Sequence, residues 1–247
     1  MSILMPALAR VRKQAKAVLC QSNLKQMGAC YAMYAGDYNS RFPTGWRETL
    51  PTSPKDYWME ALRPYYGNDG DMRCCAMATK PGTEVGLGQY GGNGTFLAWG
   101  VFTEWPTVPY GDYGSFAENS CVLDPPIEVE TIQRHPTSNN WRTSNVSGAG
   151  NIPLLGDGQW IDSWPNHTDH APDYEGMPWG TDPAISMYRI CINRHDGYVN
   201  WVFLDYSVHK LGLKQLWKVK WHRTFDLTGG PTREEWPDWM KPLKEYK

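Results

Sequence analysis

The hydrophobic positions of the first forty residues recur at steps of three and four. Leu4, Leu8, Val11, Ala15 and Val18 form one stripe, and Ala17, Cys20, Leu24, Met27, Tyr31 and Tyr34 form a second, rotated slightly from the first. That is the period of an amphipathic helix. Arg10, Arg12, Lys13, Lys16 and Lys25 take much of the remaining surface, no breaker falls between Pro6 and Gly28, and the segment Asp37–Pro43 ends the pattern. The pattern predicts a helix of roughly 30 residues, about 45 Å at 1.5 Å per residue. Helices of globular domains usually run to 10–14 residues.

Residues 194–211, RHDGYVNWVFLDYSVHKL, have the other period. Val199, Trp201 and Phe203 alternate with Asn200, Val202 and Leu204, which predicts a strand between a turn at His195-Asp196-Gly197 and a turn at Asp205-Tyr206. IPLLGD and YRICINR read as buried strands, and GQYGGNGTFLAWGVF as a strand after a Gly-rich turn. SPKDYWMEALRPYYG predicts a short helix capped by Ser53 with Pro54 in its first position. LKQLWKVKWH also reads as a helix, with Leu213, Leu216 and Trp217 on one face. Residues 106–150 are punctuated by Pro, Ser and Asn, with one short element at IEVETIQR. EEWPDWMKPLKEY holds enough proline to be a broken tail lying on the surface.

Composition narrows the class. The formal net charge is -2, and no basic stripe exists beyond the N-terminus, so nothing points to nucleic acid. Thirteen Trp and 14 Tyr against 6 Phe, with 24 Gly and 19 Pro, favour a loop-rich, strand-containing body over a helical bundle. Six cysteines without a CxxC pair argue against a zinc ribbon or a thioredoxin motif. They fit one or two disulfides in an exported protein, or buried thiols in a cytosolic one. At the start, the apolar MSILMPAL directly precedes the basic cluster. A signal peptide has the opposite order, and the run is too short to span a bilayer. The order fits the end of a membrane helix emerging at an interface. It equally fits an amphipathic helix packed on its own domain.

Candidate chemistry concentrates in two places. His195 and Asp205 suggest a catalytic pair, but a seven-residue strand between them spans roughly 23 Å, far beyond the reach of proton transfer. Each is expected to satisfy backbone groups at its own turn, Asp205 as an Asx-type cap, with about 1–2 kcal/mol lost on replacement by Ala. Tyr206 is expected to force a type I turn or a longer loop there. The segment 156–180, GDGQWIDSWPNHTDHAPDYEGMPWG, mixes five carboxylates with His167, His170 and three tryptophans. Its carboxylates could hold Ca2+, although D-x-D-x-D-G spacing is absent. Trp160, Trp164 and Trp179 could stack on sugar rings, and the plain alternative is a solvated loop pinned by aromatics. No GxSxG, HExxH or GxxxxGK motif occurs, no metal ligand set is legible, and no residue is assigned a catalytic role.

PALARVRKQAKAVLCQSNLKQMGACYAMYAGDYNSRFP resembles the prepilin-like proteins, relatives of type IV pilins and type II secretion pseudopilins. Members often carry an apolar segment, then P-A-L-x-x-A/V-R-x-x-A, C-x-x-N-L-K-Q and a Y-x-x-D/G-x-N-x-x-F-P exit. Near the other end, many carry His, nine residues and Asp-Gly; His195 and Asp205 have that spacing, and Tyr206 stands where the family has Gly. MRCC, QYGGNG and NIPLLGD match weaker landmarks. The resemblance covers most of the chain and is specific at its two ends; the family's cleavage site, membrane segment and early acidic residue have no counterpart here. It implies a pilin-like α+β fold, with a long N-terminal helix (1–38) packed on an antiparallel β-sheet within a single domain (39–247). Asn23, Leu24, Lys25 and Gln26, with His195, Gly197, Asn200 and Asp205, are then the motif positions. Cys20 would pair with Cys74 or Cys75 in a disulfide. The expected role is a non-catalytic, cofactor-free subunit in the cell envelope, anchored through a helix segment that begins before Met1, with like subunits or secretion components as partners. The rivals are a polysaccharide-binding module on a pilin-like stem and a metal-dependent enzyme centred on 156–180.

Overall fold

The computed structural model describes residues 4–45, 57–67, 69–79, 94–101, 111–132 and 135–246. Helix α1, Leu4–Asp37, is 34 residues long, about 50 Å. Only its second half is covered. Cys20, Leu24, Met27 and Tyr31 have no exposed surface, whereas residues 5–16 are exposed throughout. The second apolar stripe therefore faces the domain and the first faces away.

Five strands make the sheet: β1 Phe116–Asn119, β2 Pro153–Asp157, β3 Asp162–Ser163, β4 Tyr198–Phe203 and β5 Val208–Gly212. Their order is β3-β1-β2-β4-β5. Neighbours are antiparallel except β1 and β3, which are parallel. The sheet is thus mixed rather than purely antiparallel. The reason is local: after β2 the chain crosses β1 in four residues and lies along its far edge. Gly158 makes that crossing, and a Cβ there would come within 2.4 Å of the Ala117 Cβ.

The alternation read in β4 sets the layers. Val202 and Leu204 face α1, in a core with Leu24, Met27, Tyr31 and Leu155. Val199, Trp201 and Phe203 face the opposite side, in a second core with Leu213, Leu216, Trp217 and Trp221. Both faces of the sheet are therefore covered, one by a helix and one by mostly irregular chain.

Several local expectations are revised. YRICINR forms a short 3-10 turn, Ser186–Arg189, followed by close backbone bonds such as Cys191 N to Met187 O (2.8 Å) rather than a ladder. LKQLWK is a 3-10 helix, Leu213–Lys218. The short helix after 53 is two single turns, Trp58–Ala61 and Arg63–Tyr66, the second opening with Pro64; Ser53 and Pro54 lie outside the described residues. Only Trp99–Gly100 of the strand expected after the Gly-rich turn is described as one. The C-terminal segment is not a surface tail, because Trp236 and Met240 are buried in the second core. Among the described residues no helix is long and apolar enough to cross a membrane.

Candidate functional site

The polar centre of the molecule lies between α1 and the sheet, and four separate stretches of chain build it. Cys20 comes from α1, at the point where the helix first becomes buried. Cys75 follows a 3-10 turn that Asn23 holds against the helix, its Nδ2 donating to the carbonyls of Asp71 and Cys74, both at 3.0 Å. The Cys75 amide donates to Ser115 Oγ at 2.6 Å. Asp157 ends β2, and His195 sits in the turn that opens β4. There Asp196 and Gly197 both take positive φ (52° and 90°), and the Gly197 amide donates to Asn193 Oδ1 (2.6 Å).

The four side chains converge. Cys75 Sγ lies 3.3 Å from His195 Nε2, which lies 3.1 Å from Asp157 Oδ2. Cys20 Sγ is 3.6 Å from Asp157 Oδ1. No pair of these ligand atoms is more than 4.8 Å apart, and all four residues are buried. Arg194 closes the centre on one side, with Nη1 3.1 Å from Asp157 Oδ1 and its other donors on the carbonyls of Thr95, Ser115 and Gly158. Asn200 closes it on the other. Its amide donates to Asp157 Oδ2 (2.8 Å), its Nδ2 to Cys20 Sγ (3.4 Å), and its Oδ1 accepts from Gln21 (3.0 Å).

Charge follows from that geometry. Burial works against an ionised Asp157, but bonds from His195, Arg194 and the Asn200 amide outweigh it and bring the carboxyl down to about 2. Burial also disfavours the His195 imidazolium, and its contacts with Asp157 and Cys75 lift it to about 9 all the same. For Cys75, burial is overcome by a bond from the Cys20 thiol and by His195 and Arg194, leaving the thiol at about 7. Cys20 is pushed well up, by burial first and then by Cys75 and Asp157.

A thiol beside an imidazole and a carboxylate invites comparison with a nucleophilic triad. Such a triad needs the two imidazole nitrogens to face different partners. Here the same nitrogen, Nε2, faces both Cys75 and Asp157, and Cys20 and Cys75 expose no surface to a substrate. Four such donors within 4.8 Å of one another are a group that could hold a metal ion.

The residues singled out from the sequence divide. His195, Asn200 and Cys20 belong to the centre, and Asn23 positions it. Leu24 is core, Lys25 Nζ donates to the Tyr206 carbonyl (3.0 Å), and Gln26 is exposed. His195 does more than close its turn, contrary to the expectation, because its ring points into the centre. Asp205 stays at the far hairpin, where Oδ1 accepts the Ser207 amide at 3.0 Å and the Ser207 hydroxyl at 2.5 Å. Among the described residues no disulfide joins Cys20 to Cys74. The cysteine that reaches Cys20 is Cys75, since adjacent side chains point different ways along an extended chain.

The 156–180 segment does not gather its groups. Asp162 pairs with Arg189 (2.5 Å), Asp169 accepts the Asn166 and Met187 amides, and Glu175 accepts from Asn193. Those three carboxylates therefore do not meet at one point. Trp160 is buried, so it offers no face to a sugar, and Arg189 lies over the half-buried rings of Trp164 (4.1 Å) and Trp179 (4.5 Å). Sequence reasoning missed Cys75 and Asp157 as partners of His195, because 120 and 38 positions separate them along the chain. Comparison of the chain with protein-family models, curated proteins and solved structures finds no match among any of them.

Proposed function

We propose that this protein is a non-catalytic assembly subunit of the cell envelope, pilin-like in plan, in which α1 is both the stem and the contact with like subunits. The observation that carries the reading is the outward face of α1. Met5, Leu8, Val11, Val18 and Leu19 are 51–78% exposed. At 100° per residue their mean direction lies roughly 140° from that of Cys20, Leu24, Met27 and Tyr31, which pack on the sheet. An apolar stripe of this length has no role inside the fold, and stripes left open on a helix are a means of association. A second copy of the same stripe is the partner whose shape and chemistry match it, and two such helices side by side would bury both.

The test is self-association of the chain and of a variant carrying Leu8→Glu, Val11→Glu and Val18→Glu, followed by sedimentation. The wild type is expected to associate and the variant to remain monomeric with an unchanged circular dichroism spectrum. Because Arg10, Arg12, Lys13 and Lys16 flank the stripe, association between copies should strengthen with salt, whereas adsorption to anionic vesicles would weaken. A wild-type chain that stays monomeric at its solubility limit, or a variant that associates equally well, rules the reading out.

A further inference from the structure

We propose that Cys20, Cys75, Asp157 and His195 form a tetrahedral site for a thiophilic divalent cation, Zn2+ by preference. The site is independent of the assembly role of α1, since it lies on the helix's inner face.

The spacing fits. Zinc binds sulfur at about 2.3 Å and nitrogen or oxygen at about 2.0–2.2 Å, so the edges of its coordination tetrahedron run to roughly 3.3–3.8 Å. The three closest approaches between different side chains, Cys75 Sγ to His195 Nε2, His195 Nε2 to Asp157 Oδ2 and Cys20 Sγ to Asp157 Oδ1, are 3.3, 3.1 and 3.6 Å. No edge exceeds 4.8 Å, so closure of the site around an ion needs movements of about an ångström or less at the thiols.

The charge fits as well. Two thiolates, one carboxylate and the buried Arg194 guanidinium sum to -2, which a divalent cation neutralises with the imidazole uncharged. Binding displaces the protons of both thiols and of His195 to solvent, and the ion's own field drives that loss. Two thiolates and an imidazole favour zinc over magnesium or calcium, which take oxygen ligands in larger shells.

An outer layer is already in place, as working metal sites require. The Met77 amide points at Cys75 Sγ (3.4 Å), Asn200 Nδ2 at Cys20 Sγ (3.4 Å), and Arg194 and the Asn200 amide hold the carboxylate oxygens. A cavity of about 290 Å³, lined in part by Lys13, Met77, Arg194 and His195, adjoins the imidazole.

The same two sulfurs could instead be joined by oxidation, and the experiment separates the outcomes. The full chain, purified and kept reduced, is assayed for metal by mass spectrometry and titrated with Zn2+ against a chromophoric chelator. It is then loaded with Co2+ and its absorption recorded. The expected result is one Zn2+ per chain, and a Co2+ spectrum with sulfur-to-metal charge transfer and the intense visible bands of a tetrahedral site. Cys75→Ser and Cys20→Ser should each weaken the charge-transfer band and release the metal, while Cys74→Ser should leave both unchanged. Asn200→Ala should weaken affinity roughly 10- to 100-fold, as outer-layer losses do. Should Cys75→Ser not fold, the wild type alone still decides: the Zn2+ stoichiometry and the Co2+ charge-transfer band must appear, and a chelator must remove both while the circular dichroism stays folded. Reduced, cooperatively folded protein that binds neither Zn2+ nor Co2+ overturns the proposal. So does a Cys20–Cys75 disulfide whose reduction yields folded protein with no metal affinity.

Discussion

Glu118 sits in β1 with 3% of its surface exposed. One oxygen accepts the Tyr31 hydroxyl of α1 at 2.6 Å. The charge beside it is that of Asp162 of β3, which itself pairs with Arg189. Burial raises its carboxyl to about 8 against Tyr31's pull in the other direction, and Asp162 adds to the rise. The folded pKa thus stands above the unfolded one. The stability tied to Glu118 is full below about 4.3, the usual carboxyl value, and is lost as pH rises through 8. Glu118→Gln keeps the acceptor for Tyr31 and removes the ionisation. The variant should match the wild type near pH 5 and become the more stable by several kcal/mol at pH 9. Parallel denaturant titrations check this; two stability curves that stay parallel from pH 5 to 9 would contradict it. At the hairpin, Tyr206 takes φ +63° where a glycine would be unstrained. Its amide bonds to the Phe203 carbonyl (2.8 Å) and the Phe203 amide to that of Ser207 (2.9 Å), which is a three-residue loop ending in a left-handed residue. The longer loop is the form expected for a chain lacking glycine there. The left-handed tyrosine is not, and the cap by Asp205 and the bond from Lys25 to the Tyr206 carbonyl hold it.

At the scale of elements, the approach of α1 to β4 depends on Gly28. A Cβ at that position would meet Val202 Cγ2 at 2.8 Å, and Val202 is fully buried. Glycine normally weakens a helix by about 1 kcal/mol relative to alanine, so here close packing is gained at the helix's own expense. Gly28→Val should cost about 2 kcal/mol through overpacking, and combining it with Val202→Ala should return much of that loss. A double-mutant cycle by thermal or urea unfolding measures the coupling. Additive effects would mean that the two residues do not meet. The same helix carries the outward stripe, so one of its faces serves the core and the other is the face proposed for association.

At the scale of the whole molecule, the irregular chain is held by its tryptophans. The indole N–H groups of Trp58, Trp99, Trp141, Trp217, Trp221 and Trp239 each donate to a backbone carbonyl at 2.7–3.0 Å. Each thus supplies a large apolar body and one fixed bond to a main-chain carbonyl. The C-terminal segment belongs to this system. Trp236 packs edge-on against Trp217 at 5.2 Å, and buried Lys214 pairs with Glu245. Removal of residues 232–247 should therefore uncover the second core and cost about 4 kcal/mol or more, since burial of two large side chains is lost along with the partner of a buried charge. A lowered melting temperature and new protease cleavage near Leu213–Lys218 are the expected readouts; a truncated chain with an unchanged melt would return this segment to the status of a tail.

Taken by itself, the sequence determined the features that depend on near neighbours. The two apolar stripes fixed α1 and its end near Asp37, because helix period is a property of residues three and four apart. Alternation fixed β4 and assigned Val199, Trp201 and Phe203 to one face and Val202 and Leu204 to the other. The spacing across β4 kept His195 and Asp205 apart, since strand rise is set by the backbone alone. Tertiary structure decided what depends on distant partners. YRICINR has the apolar character of a strand but finds no edge to join, so it closes turns on itself. The EEWPDWMKP segment reads as polar and broken, yet Trp236 and Met240 find a core made by residues 185–225. The Cys20, Cys75, Asp157 and His195 centre was legible only as residue types. Its four members meet because Asn23 holds one loop to the helix, β2 ends at Asp157, and Asp196 and Gly197 turn the chain so that the His195 ring points inward. No local pattern encodes that meeting, because it exists only once α1 lies on the sheet.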